Sequence, residues 1–527
     1  MTHHEDDHIP WLSLSVLVFG GFMAILQASA VNVAIPRLMA VFNTSADRIQ
    51  WVLTAYMLVS GVVVPVSGYL GDRFGYKRMY IISLCTFMFG SGLAGFAWNV
   101  SSLIAARVVQ AVGAGIIMPI TMALLYRMVP IRRIGTAMGI LGLAFIMGPA
   151  IGPTVGGYVV DYLGWRLVFY LNLPVGIIAL PLVLMLLPAT PRREGLRFDF
   201  LGFILAVTGC FCLLLALSKG AEWGWGSQGI VTLLITAVSV LVLFTIWELA
   251  NPEPMLDVRL FANPVLTMST IATGLASIAL FGGVFLVPLF TQTIQGYSPM
   301  QTGLILLPAA LVSGAVMPVS GRLFDRIGAV PLGLAGLSLV TVTTYMLHTL
   351  TPDTPIRYLQ YILCVRSFGL GLYMMPISAT GMNTIPKALV GQASALSNTI
   401  RQIAGSFGIA YMTHVLVTRQ AFYAARIAEG VVIGSPSASQ ISALSGTGTA
   451  GREMILSAVS GLVQRQAMVA GMGDTFLTAA VLAAATIPFV FFLGKGRVES
   501  TRRQEEEKWH KRRERLGIAG GPAPEMG

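Results

Sequence analysis

Three arginines stand inside apolar stretches where a charge meets no water. Arg107 lies roughly 8 Å along the fourth such stretch, Arg366 about 13 Å into the twelfth and Arg401 about 16 Å into the thirteenth, at ~1.5 Å per helical residue. A guanidinium so placed either faces a cavity or polar partner, and so marks a pathway, or clamps onto helix-end carbonyls. Two carboxylates occupy a different setting. Asp72 and Asp325 sit in basic turns that read almost alike, Gly68-Tyr-Leu-Gly-Asp72-Arg73-Phe-Gly75 and Gly321-Arg-Leu-Phe-Asp325-Arg326-Ile-Gly328. An acid there has to cap a helix N-terminus or pair with Arg73, Arg78 or Arg326, and such bonds can be made in one conformation and broken in another. In the first stretch, Leu26-Gln27-Ala-Ser29-Ala-Val-Asn32 offers two amides, Gln27 and Asn32, able to hydrogen-bond a substrate.

The elements that position these groups are membrane helices. Hydrophobic residues make up 55% of the chain and charged ones only 11%, with a mean hydropathy of +0.76, which excludes a soluble domain of this length. A bilayer core needs about 20 apolar residues per helix, and fourteen stretches qualify, from one near 12–34 to one near 474–494. The polar, acidic start from Thr2 to Asp7 is unlike the basic opening of a signal peptide, so the first helix is read as retained. Most of the 34 Lys and Arg fall in alternate loops, which places both termini in the cytoplasm of a multi-pass cell (inner) membrane protein. The net charge of +11 is then a topological signal, and its scatter over loops argues against nucleic-acid binding. Cys85, Cys210, Cys212 and Cys364 all fall in spans and suggest neither disulfide nor metal site. His3, His4 and His8 belong to a solvated terminus.

The two basic turns are 253 residues apart, whereas a repeat of six short-looped helices needs only about 190. Two spans are therefore inserted, flanked by the Pro-rich linkers Pro188-Ala-Thr-Pro191 and Asn251-Pro252-Glu-Pro254. The expected plan is all-α: a tail at 1–11, a six-helix bundle over 12–187, a linker with two helices over 188–264, a second bundle over 265–494 related to the first by a pseudo-twofold, and a tail at 495–527. Within the second bundle, 418–473 reads as an external helical hairpin, Arg419–Glu429 extending the thirteenth helix, that lies on the membrane surface or serves as a gating lid, with a Gly/Ser-rich tip around 434–448. The Arg502–Arg515 run reads as a solvated, mixed-charge tail.

Three motifs carry a family resemblance. The loop Gly68–Arg78, the phrase Arg107-Val-Val-Gln110-Ala-Val-Gly113-Ala-Gly115, and the stretch from Gly139 through Gly148, Gly152-Pro153 and Gly156-Gly157 resemble signatures of the major facilitator superfamily. The fourteen-helix plan is similar to its drug:proton antiporter branch. The resemblance implies a conformational latch in the turns, a cavity lined by Gln27, Asn32, Arg107, Arg366 and Arg401, and a fifth helix whose glycines admit a close neighbour. Pro149 and Pro153 would bend that helix where surrounding groups re-satisfy the freed carbonyls. It also implies a monomeric exporter of small lipophilic molecules driven by protons, without cofactor, metal or enzymatic step. No Gly-x-x-x-x-Gly-Lys-Ser/Thr motif occurs, which argues against direct ATP use. One departure bears on the mechanism: Gln27 stands where the branch has an acidic residue, and no Asp or Glu falls centrally in a span. Asp161, Asp474, His348 and His414, near the outer face, are the remaining proton-carrying groups. A lipid or metabolite exporter uncoupled from protons, or a receptor-like homologue that moves no cargo, are the alternatives.

Overall fold

The computed structural model describes residues 10–130, 133–190, 198–430 and 449–515. The acidic N-terminal tail, the Gly/Ser-rich tip, the end of the C-terminal tail and the loop arginines Arg132, Arg192, Arg193 and Arg197 lie outside the described residues. All the described regular structure is helical. In order the elements are α1 (Trp11–Phe42), α2 (Ala46–Phe74), α3 (Tyr76–Gly95), α4 (Val100–Met128), α5 (Ile134–Tyr158), α6 (Trp165–Tyr170), α7 (Asn172–Leu186), α8 (Phe200–Trp223), α9 (Gln228–Ala250), α10 (Pro264–Leu289), α11 (Pro299–Ile327), α12 (Ala329–Met346), α13 (Ile356–Met382), α14 (Val390–Gly430), α15 (Thr449–Val490) and α16 (Lys495–Arg515). The sixth apolar stretch comprises α6 and α7, and the seventh to fourteenth are α8 to α15.

Among the described residues, ten helices are long and apolar enough to cross a bilayer unaided, or eleven if the two arms of α5 are taken as one span. α14 falls short for a physical reason: its first turns are polar, and Gln392, Ser394, Asn398 and Thr399 are nonetheless buried. A helix that hides hydroxyls and amides from lipid scores poorly on hydropathy although its neighbours shield it.

Each near-identical basic turn is one residue long. Gly75 and Gly328, both at φ 89°, reverse the chain between α2 and α3 and between α11 and α12, a conformation that a side chain would strain. Lys77 is held at the same end, donating from Nζ to the carbonyls of Leu184 (2.8 Å) and Leu187 (2.6 Å). It closes the C-terminus of α7, where a cation meets orphan carbonyls.

α1 packs on α5 and α7, α2 on α4, and α3 on α4 and α7; α10 packs on α13, α14 and α15, α11 on α13, and α12 on α13 and α15. These two groups meet along α5 with α11 and α2 with α14, while α8 and α9 pair with each other and α8 also lies against α2 and α14. α2 and α11 carry the two repeated turns, so the two seams are equivalent under the duplication.

One expectation is corrected. α14 and α15 run unbroken for 41 and 42 residues, about 60 Å each at ~1.5 Å per residue, twice the ~30 Å hydrocarbon core. The Arg419–Glu429 flank continues α14, as the sequence suggests, and the Ile455–Val463 flank likewise continues α15 instead of standing apart as a surface helix. They are paired by Arg419 with Asp474 (3.5 Å) and Tyr423 with Asp474 (3.1 Å). The charged run at the C-terminus is also helical, with Arg502 and Glu506 paired one turn apart (3.1 Å). Its first residue, Lys495, donates to the Arg326 carbonyl (2.5 Å).

Candidate functional site

The two arms of α5 are bent by 43° at Pro149–Ile151. Pro153 has no N–H to give the Pro149 carbonyl, and the Ser29 hydroxyl on α1 takes that place, donating to Pro149 O at 3.3 Å. The glycines serve two seams. A Cβ at Gly148 would lie 2.6 Å from Ile25, at Gly152 2.6 Å from Ser29, and at Gly156 2.7 Å from the Ala30 carbonyl, all on α1; Gly157 is looser, with Val33 at 3.7 Å. Gly139 faces the other group, where a Cβ would strike the Met317 carbonyl of α11. The start of α5 thus seals tightly against α11, and from Gly148 onward its glycines seal against α1, while Thr154 still lies against Gly303 of α11.

At the turn end the two carboxylates stand on equivalent seams. Asp325 accepts hydrogen bonds from the backbone N–H groups of Gly135 (3.0 Å) and Thr136 (3.2 Å) and from the Thr136 hydroxyl (3.0 Å). It caps the N-terminus of α5 from the opposite group, where orphan donors and the helix dipole favour an anion. Asp72, only 3% exposed, accepts from Tyr76 Oη (2.7 Å), and meets Arg127 Nη2 and Gln392 Nε2 at 3.5 Å each. Gln392 belongs to α14 in the other group, but Tyr76 and Arg127 belong to its own.

The basic residues expected to serve these acids do not. Arg73 donates to Tyr69 Oη (2.8 Å), and Arg78 and Arg326 are exposed, with no ion pair to either acid among the described residues. The cause is helical geometry: neighbours in sequence diverge by about 100°, so Arg73 and Arg326 point away from the seams that Asp72 and Asp325 face. Arg127, one helix over and lying 4.2 Å from the centre of the Tyr76 ring, reaches in instead.

The three arginines, two of them buried and Arg401 half-buried, do not converge. Arg107 is wholly buried between α4 and α2: its Nε donates to the Val52 carbonyl (3.2 Å), its Nη1 to Gln110 Oε1, and its guanidinium stacks on the Tyr56 ring at 3.8 Å. Gln110 continues the chain to the Ser91 hydroxyl (2.5 Å). Arg366 donates from Nε to the Thr344 hydroxyl (3.3 Å) between α12 and α13. Both are clamps inside one group, each with an Nη2 that has no hydrogen-bond partner among the described residues. Gln27, also wholly buried, accepts from Asn172 Nδ2 on α7 (2.6 Å). Asn32 is exposed, because the buried stripe of α1 runs through Gln27, Ala30, Val31 and Ala34, and position 32 turns about 200° away from Ala30.

Arg401 lines a cavity. That cavity, of about 20 Å³, lies between α4, α10, α13 and α14 and is bounded by Met122, Ser269, Thr270, Thr273, Ser378, Ser397, Asn398 and Arg401. Asn398 Oδ1 accepts from Arg401 Nη2, and Asn398 Nδ2 is tied to the Ser394 carbonyl (2.8 Å).

A buried arginine, a proline-bent glycine helix and a duplicated acid-bearing turn in one helical bundle find their match in a known family. Residues 17–409 match the Major Facilitator Superfamily. The chain belongs to it. An uncharacterized superfamily-type transporter of Bacillus subtilis, YhcA, is 34% identical over 95% of this chain and 96% of its own. The lincomycin resistance protein LmrB of the same organism is 30% identical over 77% and 85%, and the multidrug resistance protein B homolog of Mycobacterium tuberculosis is 31% identical over 77% and 76%. Among solved structures, the human organic anion transporter MFSD10 covers 92% of this chain and 100% of its own at a TM-score of 0.59; at 13% identity the likeness concerns the fold.

As a superfamily transporter the protein is a multi-pass membrane protein, and its duplication identifies groups that motif reading passes over. Thr136 and Gln392 stand at matching places in Ile134-Gly135-Thr136-Ala137 and Val390-Gly391-Gln392-Ala393, a repeat visible in the chain. The hydroxyls of the cavity had no such marker, because single Ser and Thr residues are common in membrane helices, where they bond back to their own backbone.

Proposed function

We propose that this transporter exports small lipophilic compounds by alternating access, taking up protons in exchange. In this reading it works as a monomer in the cell membrane, with both termini cytoplasmic and fourteen crossings arranged as 12–187, the linker 188–264 and 265–494. The observation that carries the proposal is the position of the bonds between the two groups. Asp325 with Gly135 and Thr136, Gln392 with Asp72, and Ser394 with the Pro119 carbonyl (3.1 Å) all lie at the turn end or within a few helical turns of it. Such bonds hold one end shut and are lost when the other conformation forms. In this reading the turn end, which carries the basic loops, faces the cytoplasm and is the closed end. The names of LmrB and the multidrug resistance protein B homolog support drug-like cargo, and the glycine-proline helix α5 supports exchange by its resemblance to the antiporter signature.

Gln27 favours a second reading, export not coupled to protons, because its amide cannot titrate and is engaged by Asn172. Purified protein in liposomes decides between the two. Under the proposal, extrusion of a neutral lipophilic dye accelerates when a pH gradient is imposed and falls to the background rate when a protonophore collapses it. A rate unchanged by the gradient leaves the uncoupled exporter, and no extrusion under any condition removes both.

A further inference from the structure

We infer that the cavity at Arg401 is a subsite for a hydrogen-bond acceptor oxygen, and that the exported compounds it selects are neutral or carry a carboxylate, not a fixed positive charge. The inference rests on the exporter reading above and names the chemistry of its cargo. The polar lining consists of hydroxyls, the Asn398 amide and the Arg401 guanidinium, and no carboxylate lines it among the described residues. The Thr270 hydroxyl is the telling group: the residue is 6% exposed, and its Oγ1 has no hydrogen-bond partner among the described residues. Its neighbours differ, since the Ser269 hydroxyl is committed to the Leu266 carbonyl (2.9 Å) and that of Thr273 to the Ser269 carbonyl (2.7 Å). A buried hydroxyl without a partner costs about 1–3 kcal/mol, which a bound acceptor oxygen would relieve.

Arg401 supplies the charge. Its guanidinium is oriented by Asn398 Oδ1, whose amide is in turn held by Ser394, so the donor is positioned before any ligand arrives. The site lies about 6 to 16 Å from the turn ends of its helices at ~1.5 Å per residue, deep enough that Coulomb interactions are weakly screened. There a second cation is repelled and an anion attracted more strongly than in water. At about 20 Å³ the cavity holds one water-sized group. It therefore reads one oxygen of the compound, while the rest of the cargo needs the opened state. Because Met122 of α4 closes the cavity from the opposite group, opening would expose the donors.

The test uses one lipophilic fluorophore in three forms, bearing a carboxylate, a carboxamide or a trimethylammonium group, with binding measured on purified protein and transport in liposomes. The carboxylate and carboxamide dyes should bind at least about tenfold more tightly than the ammonium dye, the scale of one charge-assisted bond. Arg401→Gln should raise the apparent Kd of the carboxylate dye about tenfold and that of the carboxamide dye less than about twofold, and Arg401→Lys should restore most of the difference. Thr270→Val, nearly isosteric, should weaken both oxygen-bearing dyes about threefold and leave the ammonium dye unchanged. Tighter binding of the ammonium dye by the unmodified protein, or equal loss for all three dyes in Arg401→Gln without rescue by Lys, would overturn the inference. If no dye is transported, the exporter reading fails by itself, while the binding series still decides the subsite.

Discussion

α5 and α14 begin alike and diverge within three turns. Each opens on a glycine and a polar residue, Gly135-Thr136 and Gly391-Gln392, and each opening lies against the acid-bearing end of a helix in the opposite group, α11 or α2. The backbones touch at glycine pairs in both places: a Cβ at Gly68 would lie 2.8 Å from the Gly391 carbonyl, and one at Gly321 would strike the Gly135 carbonyl. Beyond that point α5 has Gly139, Gly142, Gly148, Pro149, Gly152 and Pro153, whereas α14 has Ser394, Ser397, Asn398 and Arg401. The duplication preserved a closing contact in both copies. It then left one helix to pack without side chains and let the other gather donors. Seals and recognition make opposite demands on a helix face, since close backbone approach needs small residues and binding needs polar ones kept from lipid.

The comparison breaks most severely at Gly152. Gly152→Leu should abolish transport and lower the midpoint of thermal unfolding in detergent, because its first side-chain atom already meets Ser29 and comes within 3.2 Å of the Leu26 carbonyl. The corresponding position on α14, Gly408, lies against α10, with Ile278 Cα at 2.8 Å, so Gly408→Leu should do comparable damage. Near-normal export by Gly152→Leu would show that the glycine face is not needed for movement.

The two acids come next, and their roles are not equal. All three bonds of Asp325 cross between the groups, whereas the shortest bond of Asp72 stays within its own. Asp325→Asn should therefore shift the conformational balance away from the closed turn end by roughly 2 kcal/mol, the value of charge-assisted bonds to a helix start. That is about thirtyfold in the equilibrium between states. Asp72→Asn should shift it several-fold less, with expression nearly intact in both. Cysteine-accessibility labelling of cavity positions from the cytoplasmic side measures the shift. A larger effect at Asp72 would assign the main latch to the α2–α14 seam.

Much of this was legible in the chain, because a membrane helix announces itself by length and apolarity and a duplicated turn by its letters. The bend of α5 and its satisfied carbonyl followed from Pro149 and Pro153, since a missing N–H always leaves a carbonyl to be answered. Partners were harder to read. Asp72 and Asp325 were expected to cap a helix N-terminus or pair with neighbouring arginines; Asp325 does cap a helix, that of α5, but which helix it is, and the arrival of Arg127 at Asp72, are set by which helix packs against each carboxylate's face. The arginines show the same gap. Depth along a span marks Arg107, Arg366 and Arg401 alike as charges inside apolar helices, yet only the packing shows that Arg107 and Arg366 bond within their own groups while Arg401 borders a cavity that Met122 of the opposite group closes.

The smallest expected effect probes how tightly the glycine helix is held. Ser29→Ala removes the hydroxyl that answers the Pro149 carbonyl while leaving the Cβ contact with Gly152 in place. Hydrogen bonds between membrane helices contribute about 0.6 kcal/mol on average, and at 3.3 Å this one is long, so the unfolding midpoint should fall by only about 1 to 2 °C, given the size of the chain. The transport consequence has a definite sign. If the bend in α5 is fixed by Pro149 and Pro153 themselves, Ser29→Ala leaves the dye-extrusion rate within about twofold. If the bend depends on α1 holding the freed carbonyl, the same change should cost transport far more than stability. Pro153→Ala separates these two cases by restoring the N–H: recovered activity in the double variant would assign the Ser29 hydroxyl to the proline's missing bond, and no recovery would show that the hydroxyl acts elsewhere than on the Pro149 carbonyl.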